Sequence, residues 1–257
     1  MAATTCRRDI STELVYWDSV PVTIRDVRGR ETEFTLDRNG FQYIHHEVPG
    51  LENCSGEDEI VALLFPETEK LVQKLTGATK TIVLTHRIRC MITDTAKRGD
   101  NRAPAFAAHS DFSVAGALHH LEKTIGNPAE KEQLMKGRFY IINVWRPLKT
   151  ITRDPLAICD WKSVEPGRDW VSHRWIFDHG WNEFGSVVHN DKHKWFYLSH
   201  QEPSEPLVFT QFDSKETENG GVTLAHSAFV DPEYAKIAKA RESIEIRMFA
   251  FVPEGDS

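Results

Sequence analysis

The chain has 257 residues, 40% of them hydrophobic, which is enough for one large domain with a buried core. Its formal net charge is −7 and no lysine- or arginine-rich run occurs, so a basic face for nucleic acid is not expected. No apolar stretch approaches the ~20 residues of a membrane span, and the N-terminus lacks the apolar segment of a signal peptide. These features favour a cytoplasmic protein that acts on a small molecule, with neither nucleic acid nor membrane as a partner.

The first third of the chain is predicted to form short extended segments and then helices. Residues 13–48 are rich in β-formers and turn residues, whereas residues 56–76 carry apolar residues at helical spacing. Pro66 is predicted to open a second helix within that stretch, which Gly77 would end.

Beyond residue 80 the pattern becomes mainly β. Two helices are predicted at residues 113–125, with Ser113 as N-cap, and at residues 128–136. The candidate strands are 138–145, 155–159, 183–188, 194–198, 206–212, 222–229 and 243–252. Many short strands at fairly regular spacing indicate a sandwich or jelly roll and not βαβ units. We therefore expect a mainly β fold with flanking helices in one domain, residues 1–257. Residues 1–79 would form its N-terminal strands and helices, and residues 80–257 its β core.

A candidate metal site begins with the segment His109-Ser110-Asp111. A mononuclear iron oxygenase needs two imidazoles and one carboxylate on one face of the metal, with the other face open. Because the strand period is two, an HxD sequence on a strand sends both side chains to the same side. His226, in a strand-like run near the C-terminus, is the candidate third ligand, from a distant strand across the barrel.

The HxD pattern alone is weak support, because a chain with 12 histidines contains such a pair by chance. A second pair, His189 and Asp191, lies in a polar patch between two strand-like runs and is interpreted as a hairpin turn. The aromatic segment Trp170–Trp181 fits a core hairpin, with a lid over the substrate as the alternative.

The C-terminal strand strengthens the metal hypothesis. Arg241 and Ser243 would point to the same side of this strand, where a guanidinium and a hydroxyl can hold the distal carboxylate of 2-oxoglutarate. The alternative is an exposed edge strand with its charges on one face. Arg247 shares the same side of the strand, so it remains a second candidate for the carboxylate clamp.

HxD, a distant histidine and Arg-x-Ser together resemble the Fe(II)/2-oxoglutarate-dependent oxygenases. More narrowly, the chain resembles the AsaB-type hydroxylase/desaturase family, which includes the cephem methoxylase component and fungal gibberellin-desaturase relatives. The matching blocks, in order from about residue 80 to the end, are residues 108–111, 136–148, 155–160, 226–232 and 241–247.

The resemblance implies a double-stranded β-helix (jelly-roll) core and the cofactors Fe(II), 2-oxoglutarate and O2. It implies iron on His109, Asp111 and His226. It places 2-oxoglutarate on Arg241 and Ser243, with Asn143 and Arg146 helping to hold co-substrate or substrate, or serving the fold. Gln211 stands where relatives are expected to carry lysine, so a contact there would change the substrate.

The implied reaction is hydroxylation, desaturation or ring closure of a secondary metabolite or modified amino acid, beginning with abstraction of hydrogen from a C–H bond. Two alternatives of other classes stay open: a zinc hydrolase on the same ligands and a non-catalytic jelly-roll binding protein. A zinc hydrolase would need a general base near the metal and no carboxylate clamp. The oligomeric state is open as well, with a homodimer as one option.

Overall fold

The computed structural model describes residues 2–8, 15–90, 103–178, 180–215, 223–234 and 240–254. Its strands are β1 Ala2–Arg8, β2 Val15–Pro21, β3 Ile24–Asp26, β4 Phe41–Tyr43, β5 Lys80–Cys90, β6 His109–Ser110, β7 Arg138–Pro147, β8 Leu156–Cys159, β9 Trp170–Phe177, β10 Gly180–Val187, β11 Trp195–Tyr197, β12 Leu207–Asp213, β13 His226–Ala228 and β14 Glu242–Val252. Its α-helices are α1 Leu36–Asn39, α2 Glu57–Thr76, α3 Val114–Thr124, α4 Pro128–Met135 and α5 Pro166–Asp169. No helix in these ranges is long and apolar enough to cross a membrane.

Two sheets form the body of the fold. Within the described ranges, a seven-stranded sheet has the order β3-β11-β8-β13-β6-β10-β9, and a five-stranded sheet has the order β4-β12-β7-β14-β5. Most neighbouring strands are distant in sequence, because the chain passes repeatedly from one sheet to the other, as in a jelly roll. The expected mainly β jelly roll with flanking helices is confirmed. Because β3 and β4 add to the two sheets, the N-terminal part of the chain contributes directly to the β core.

Helix α2 covers the outer face of the five-stranded sheet. Leu64, Leu71 and Val72 on the helix pack against Ile244 and Ile246 of β14, and all five side chains are buried. The alternation of β14 explains the packing, since every second side chain faces the helix and the others face the opposite sheet. The alternative of an exposed edge strand is therefore excluded for β14, which pairs with β5 on one side and β7 on the other.

The predicted break at Pro66 is wrong, because α2 runs without interruption from Glu57 to Thr76. A proline inside a helix removes one backbone hydrogen bond and costs about 3 kcal/mol. Pro66 and Ala62, whose carbonyl loses its partner, are both exposed, so water can satisfy that carbonyl. Burial of the opposite side of the helix against the sheet offsets the remaining cost.

Two interpretations of local turns need correction. Residues 188–194 do not form a hairpin, because β10 pairs with β6 and β9 whereas β11 pairs with β3 and β8. The segment from Trp170 does contain a hairpin, formed by β9 and β10, but its tip is not core. Trp175 and Ile176 are 60% and 82% exposed, and β9 is the edge strand of its sheet.

Helix α3 is held tightly against β10, the strand that pairs with the HxD segment. Ser113 caps the helix through its hydroxyl and donates its backbone N–H to the Glu183 carbonyl at 3.1 Å. A Cβ added to Gly116 would lie 2.2 Å from the same carbonyl oxygen, so the close approach requires glycine. The orientation of β10, and through it of the HxD segment, therefore depends on this contact.

Gly116→Ala is expected to lower the free energy of unfolding by about 1–3 kcal/mol, because the added methyl group forces the helix away from β10. Urea denaturation would measure the loss. Gly126→Ala is the matched control, since a Cβ there meets nothing within 4 Å. Equal stability of the two variants would contradict the tight contact.

Candidate metal centre

Three predicted ligands converge on one point between the two sheets. His109 lies on β6, Asp111 follows that strand directly, and His226 lies on β13. His109 Nε2 is 3.7 Å from Asp111 Oδ1, and His226 Nε2 is 3.8 Å from Asp111 Oδ2. The ligand atoms of the three residues all lie within 4.8 Å of one another, a spacing that a single metal ion can bridge.

The two histidines lie on neighbouring strands of one sheet, whereas the sequence predicted them on opposite sides of the barrel. His226 is the direct antiparallel partner of His109, and their ring centroids are 4.5 Å apart. The expectation of a ligand from across the barrel is therefore wrong, because β6 and β13 are neighbours in the seven-stranded sheet. Spacing along the chain gives no information on which strands become neighbours.

The hydrogen bonds of the two rings leave both Nε2 atoms facing the centre. His109 Nδ1 lies 2.7 Å from the Ala107 carbonyl, and His226 Nδ1 lies 3.4 Å from the Leu224 carbonyl. A carbonyl can only accept, so each Nδ1 carries the proton and each Nε2 presents its lone pair. This is the tautomer that a metal ligand needs.

Burial and charge set the protonation of the ligands. Burial alone would raise the pKa of the Asp111 carboxyl, but the Arg247 guanidinium and the two histidines hold it well below its ordinary value. Burial, together with nearby His109, lowers the pKa of His226 to about 4. At neutral pH the site therefore offers a carboxylate and a neutral imidazole, the forms that bind a divalent cation.

A buried chain of charges begins at Asp111. Arg247 Nε lies 3.0 Å from Asp111 Oδ2, and Arg247 Nη2 donates to Glu245 Oε1 at 3.0 Å. Arg89 Nη2 donates to the same Glu245 oxygen at 3.1 Å. Burial would lower the pKa of Arg247, but the Asp111 and Glu245 carboxylates raise it. Arg247 therefore forms ion pairs with two carboxylates of the protein itself.

Arg241, directly before β14, and Ser243, on β14, both have polar atoms without a hydrogen-bond partner among the described residues. Arg241 is 4% exposed, donates through Nη1 to the Asp154 carbonyl at 2.8 Å and lies over the Trp145 ring. In the part of the chain that the structure describes, Arg241 Nε and Ser243 Oγ have no hydrogen-bond partner. Burial lowers the pKa of Arg241 to about 10, as expected for a cation without a carboxylate partner.

Asn143 and Arg146 point to opposite faces of β7. Asn143 pairs with Arg247 and directs its Nδ2 towards Asp111 Oδ2 at 3.5 Å. Arg146 faces the side covered by α2, where it donates to the carbonyls of His46 and Pro203. The structure therefore brings Asn143 to the centre and keeps Arg146 away from it. The second HxD pair is not part of the three-ligand group. Its two side chains contact each other, with His189 Nε2 3.0 Å from Asp191 Oδ1.

Three residues at the centre were not recognised as such from the sequence: Arg89, Glu245 and Gln211. Glu245 lies two residues from both Ser243 and Arg247, so the period of a strand could have identified it. Gln211 was noted only as a departure from relatives. Its side chain accepts from the Asp111 backbone N–H at 2.9 Å, and no periodic pattern signals that contact.

A jelly roll with a buried group of two histidines and one carboxylate is the architecture of the mononuclear non-haem iron oxygenases. Comparisons with known proteins agree. A family model described as "Oxidoreductase/YMDC permease-like domain" matches residues 3–251. The Alpha-ketoglutarate-dependent dioxygenase tstK of Talaromyces stipitatus is 32% identical over 233 residues, which cover 88% of this chain and 83% of that protein.

The Hydroxylase/desaturase efuI of Hormonema carpetanum is also 32% identical, over 94% of this chain and 86% of its own length. Among solved structures, the iron and alpha-ketoglutarate-dependent endoperoxidase NvfI has a TM-score of 0.79 at 25% identity and covers 98% of this chain and 94% of its own. The chain belongs to this family of Fe(II)/2-oxoglutarate-dependent dioxygenases, and the resemblance to the hydroxylase/desaturase group is confirmed. The zinc-hydrolase and binding-protein alternatives find no support among these relatives.

Proposed function

We propose that the chain is a single catalytic domain, residues 1–257, that oxidises a small molecule with Fe(II), 2-oxoglutarate and O2. His109, Asp111 and His226 would hold the iron, and Arg241 with Ser243 would hold 2-oxoglutarate. The observation that carries the proposal is the convergence of three ligand atoms beside an inward row of polar side chains on β14.

The residues present fit both groups. Two neutral imidazoles and one carboxylate form the donor set that non-haem Fe(II) takes in oxygenases, with positions left open on the metal. The unpartnered Arg241 Nε and Ser243 Oγ are buried donors that a carboxylate can satisfy. Arg247, by contrast, already has two carboxylate partners, which favours Arg241 as the clamp.

Each side chain then has a defined task. When bound, the iron and its co-substrates supply the chemistry that oxidises a C–H bond. His109, Asp111 and His226 bind and orient the metal. Arg241 and Ser243 anchor the distal carboxylate of the co-substrate, whereas Asn143 and Arg247 hold the Asp111 carboxylate in place. The surrounding aromatic core excludes water, which strengthens each of these polar contacts. Arg146 serves the fold.

The substrate class follows from the relatives and from the charge of the chain. The relatives carry names that include hydroxylase, desaturase and endoperoxidase. We propose a secondary metabolite or modified amino acid as substrate, with hydroxylation, desaturation or ring closure as the outcome. With a net charge of −7, a nucleic acid substrate is disfavoured. We also propose that the protein acts in the cytoplasm, as the sequence predicts.

Anaerobic titration of the metal-free protein with Fe(II) and then 2-oxoglutarate tests this function. A weak visible metal-to-ligand charge-transfer band is expected, because the keto and carboxylate oxygens of 2-oxoglutarate bind the iron together. Succinate is the matched control, since it lacks the keto group and should give no band. A folded, iron-loaded protein without the band would contradict the proposal.

A further inference from the structure

Gln211 occupies an irregular position in β12. The strand pairs with β7 on both sides of this residue, through Thr210 with Ile142 and Phe212 with Ile141, which leaves Gln211 as the extra residue of a β-bulge. A bulge redirects one side chain out of the regular alternation. Here Gln211 stays on the inward face of Leu207 and Phe209, and the bulge places Phe212 on that face as well. The Gln211 side chain is fully buried.

The amide of Gln211 contacts both elements that carry the metal ligands. Its Oε1 accepts from the Asp111 backbone N–H at 2.9 Å and from the Ser110 hydroxyl at 3.3 Å. Its Nε2 packs 3.5 Å from His226 Nδ1 without a hydrogen bond, because both nitrogens carry hydrogen. One side chain of the five-stranded sheet therefore bridges β13 and the HxD segment of the opposite sheet.

The contact of Gln211 matters because it holds the peptide of a metal ligand directly. In the described part of the chain, β6 and β13 share a single pair of residues, His109 and His226. His109 Nδ1 lies 2.7 Å from a carbonyl oxygen. His226 Nδ1 has only longer contacts, 3.4 Å to a carbonyl oxygen and 3.5 Å to the Gln211 amide nitrogen. Ala228 N–H donates to the Ala105 carbonyl at 2.7 Å and the Thr223 hydroxyl to the Phe112 carbonyl at 3.1 Å, so these bonds join the surrounding segments. Gln211 adds the acceptor for the Asp111 N–H itself.

We propose that Gln211 is a positioning residue that sets the geometry and the affinity of the metal centre. It acts through Asp111 and His226 and does not itself bind the metal. The inference rests on the proposed metal site and deepens it. Outer partners of metal ligands are worth about 10–100-fold in metal affinity. A buried glutamine that holds two of three ligand segments is expected to fall in that range.

Titration of the metal-free protein with Co(II), followed by its visible d–d absorption, tests the role without turnover. Gln211→Leu is expected to weaken Co(II) binding by about 10–100-fold and to change the band shape, because the Asp111 peptide loses its acceptor. Gln211→Glu keeps an acceptor of the same length and adds a negative charge beside the cation site, so it should bind Co(II) more tightly than Gln211→Leu. Gln201→Leu is the matched control, since Gln201 is also buried but bonds to the Glu205 carbonyl.

The proposal is overturned if Gln211→Leu binds Co(II) as tightly as the wild type, with the same bands. It is also overturned if Gln201→Leu loses as much affinity, because the effect would then reflect general loosening of the fold. A wild-type protein without Co(II) bands would instead refute the metal site itself. The wild-type titration thus distinguishes failure of the proposed function from failure of this role.

Discussion

Replacing His109 or His226 by alanine is expected to abolish iron binding and turnover while leaving the fold intact. Each substitution removes one of three ligands and leaves Asp111 paired with Arg247, so no buried charge is stranded. Loss of an outer partner alone costs about 10–100-fold in metal affinity, so loss of a ligand should exceed that range. Anaerobic Fe(II) titration and coupled succinate formation measure the two effects.

Two other histidines provide matched controls for this experiment. His189 belongs to the second HxD pair, and His189→Ala should leave both iron binding and turnover unchanged. His193 is buried and bonded to Asp169 at 2.9 Å, so His193→Ala should lower stability without removing iron. Iron binding that survives in His109→Ala or His226→Ala would refute the assignment of the three ligands.

Arg241→Met is expected to weaken 2-oxoglutarate binding without lowering stability, whereas Arg247→Met is expected mainly to lower stability. Loss of Arg241 should weaken 2-oxoglutarate binding by about 2–5 kcal/mol, because a buried carboxylate loses its charged partner. The same change removes a desolvated cation that lacks a carboxylate partner among the described residues, so the metal-free protein should be as stable as the wild type or more so.

Arg247→Met should mainly affect the fold. Arg247 is the arginine partner of Asp111, so its loss leaves that carboxylate uncompensated, whereas Glu245 keeps Arg89. Breaking a buried ion pair by removing one partner costs about 3–5 kcal/mol of folding free energy. Urea denaturation of the metal-free variants and their 2-oxoglutarate affinities separate the two cases. If Arg247→Met loses more 2-oxoglutarate affinity than Arg241→Met, the carboxylate clamp is Arg247 and not Arg241.

The sequence by itself determined the chemistry of the centre. The sequence contains the residue types that an Fe(II)/2-oxoglutarate site needs, in HxD, a distant histidine and Arg-x-Ser. The ordered blocks around these motifs identified the family. The two faces of β14 could also be predicted, because the polar residues between apolar Ile244, Ile246 and Met248 must face the other side. The series of short strands was sufficient to predict a jelly roll.

Other features depended on which elements become neighbours in space. Arg146 follows Trp145 on the same strand, so the sequence could not say which of the two faces the centre until the position of α2 was known. Pro66 is tolerated because its helix packs on a sheet, a contact between distant parts of the chain. The polar turn at His189 signalled a change of direction, but not which strands it joins.

The same limit explains the residues at the centre that the sequence did not identify. Whether Arg247 meets Asp111 or a co-substrate depends on the register between β14 and β7, and that register is set by packing on both faces of the sheet. Gln211 shares the inward face of β12 with Phe209, but its contact with Asp111 joins two different sheets. Local sequence specifies which side chains share a face of a strand. Only the tertiary structure decides what that face meets, because pairing and packing join residues about a hundred positions apart.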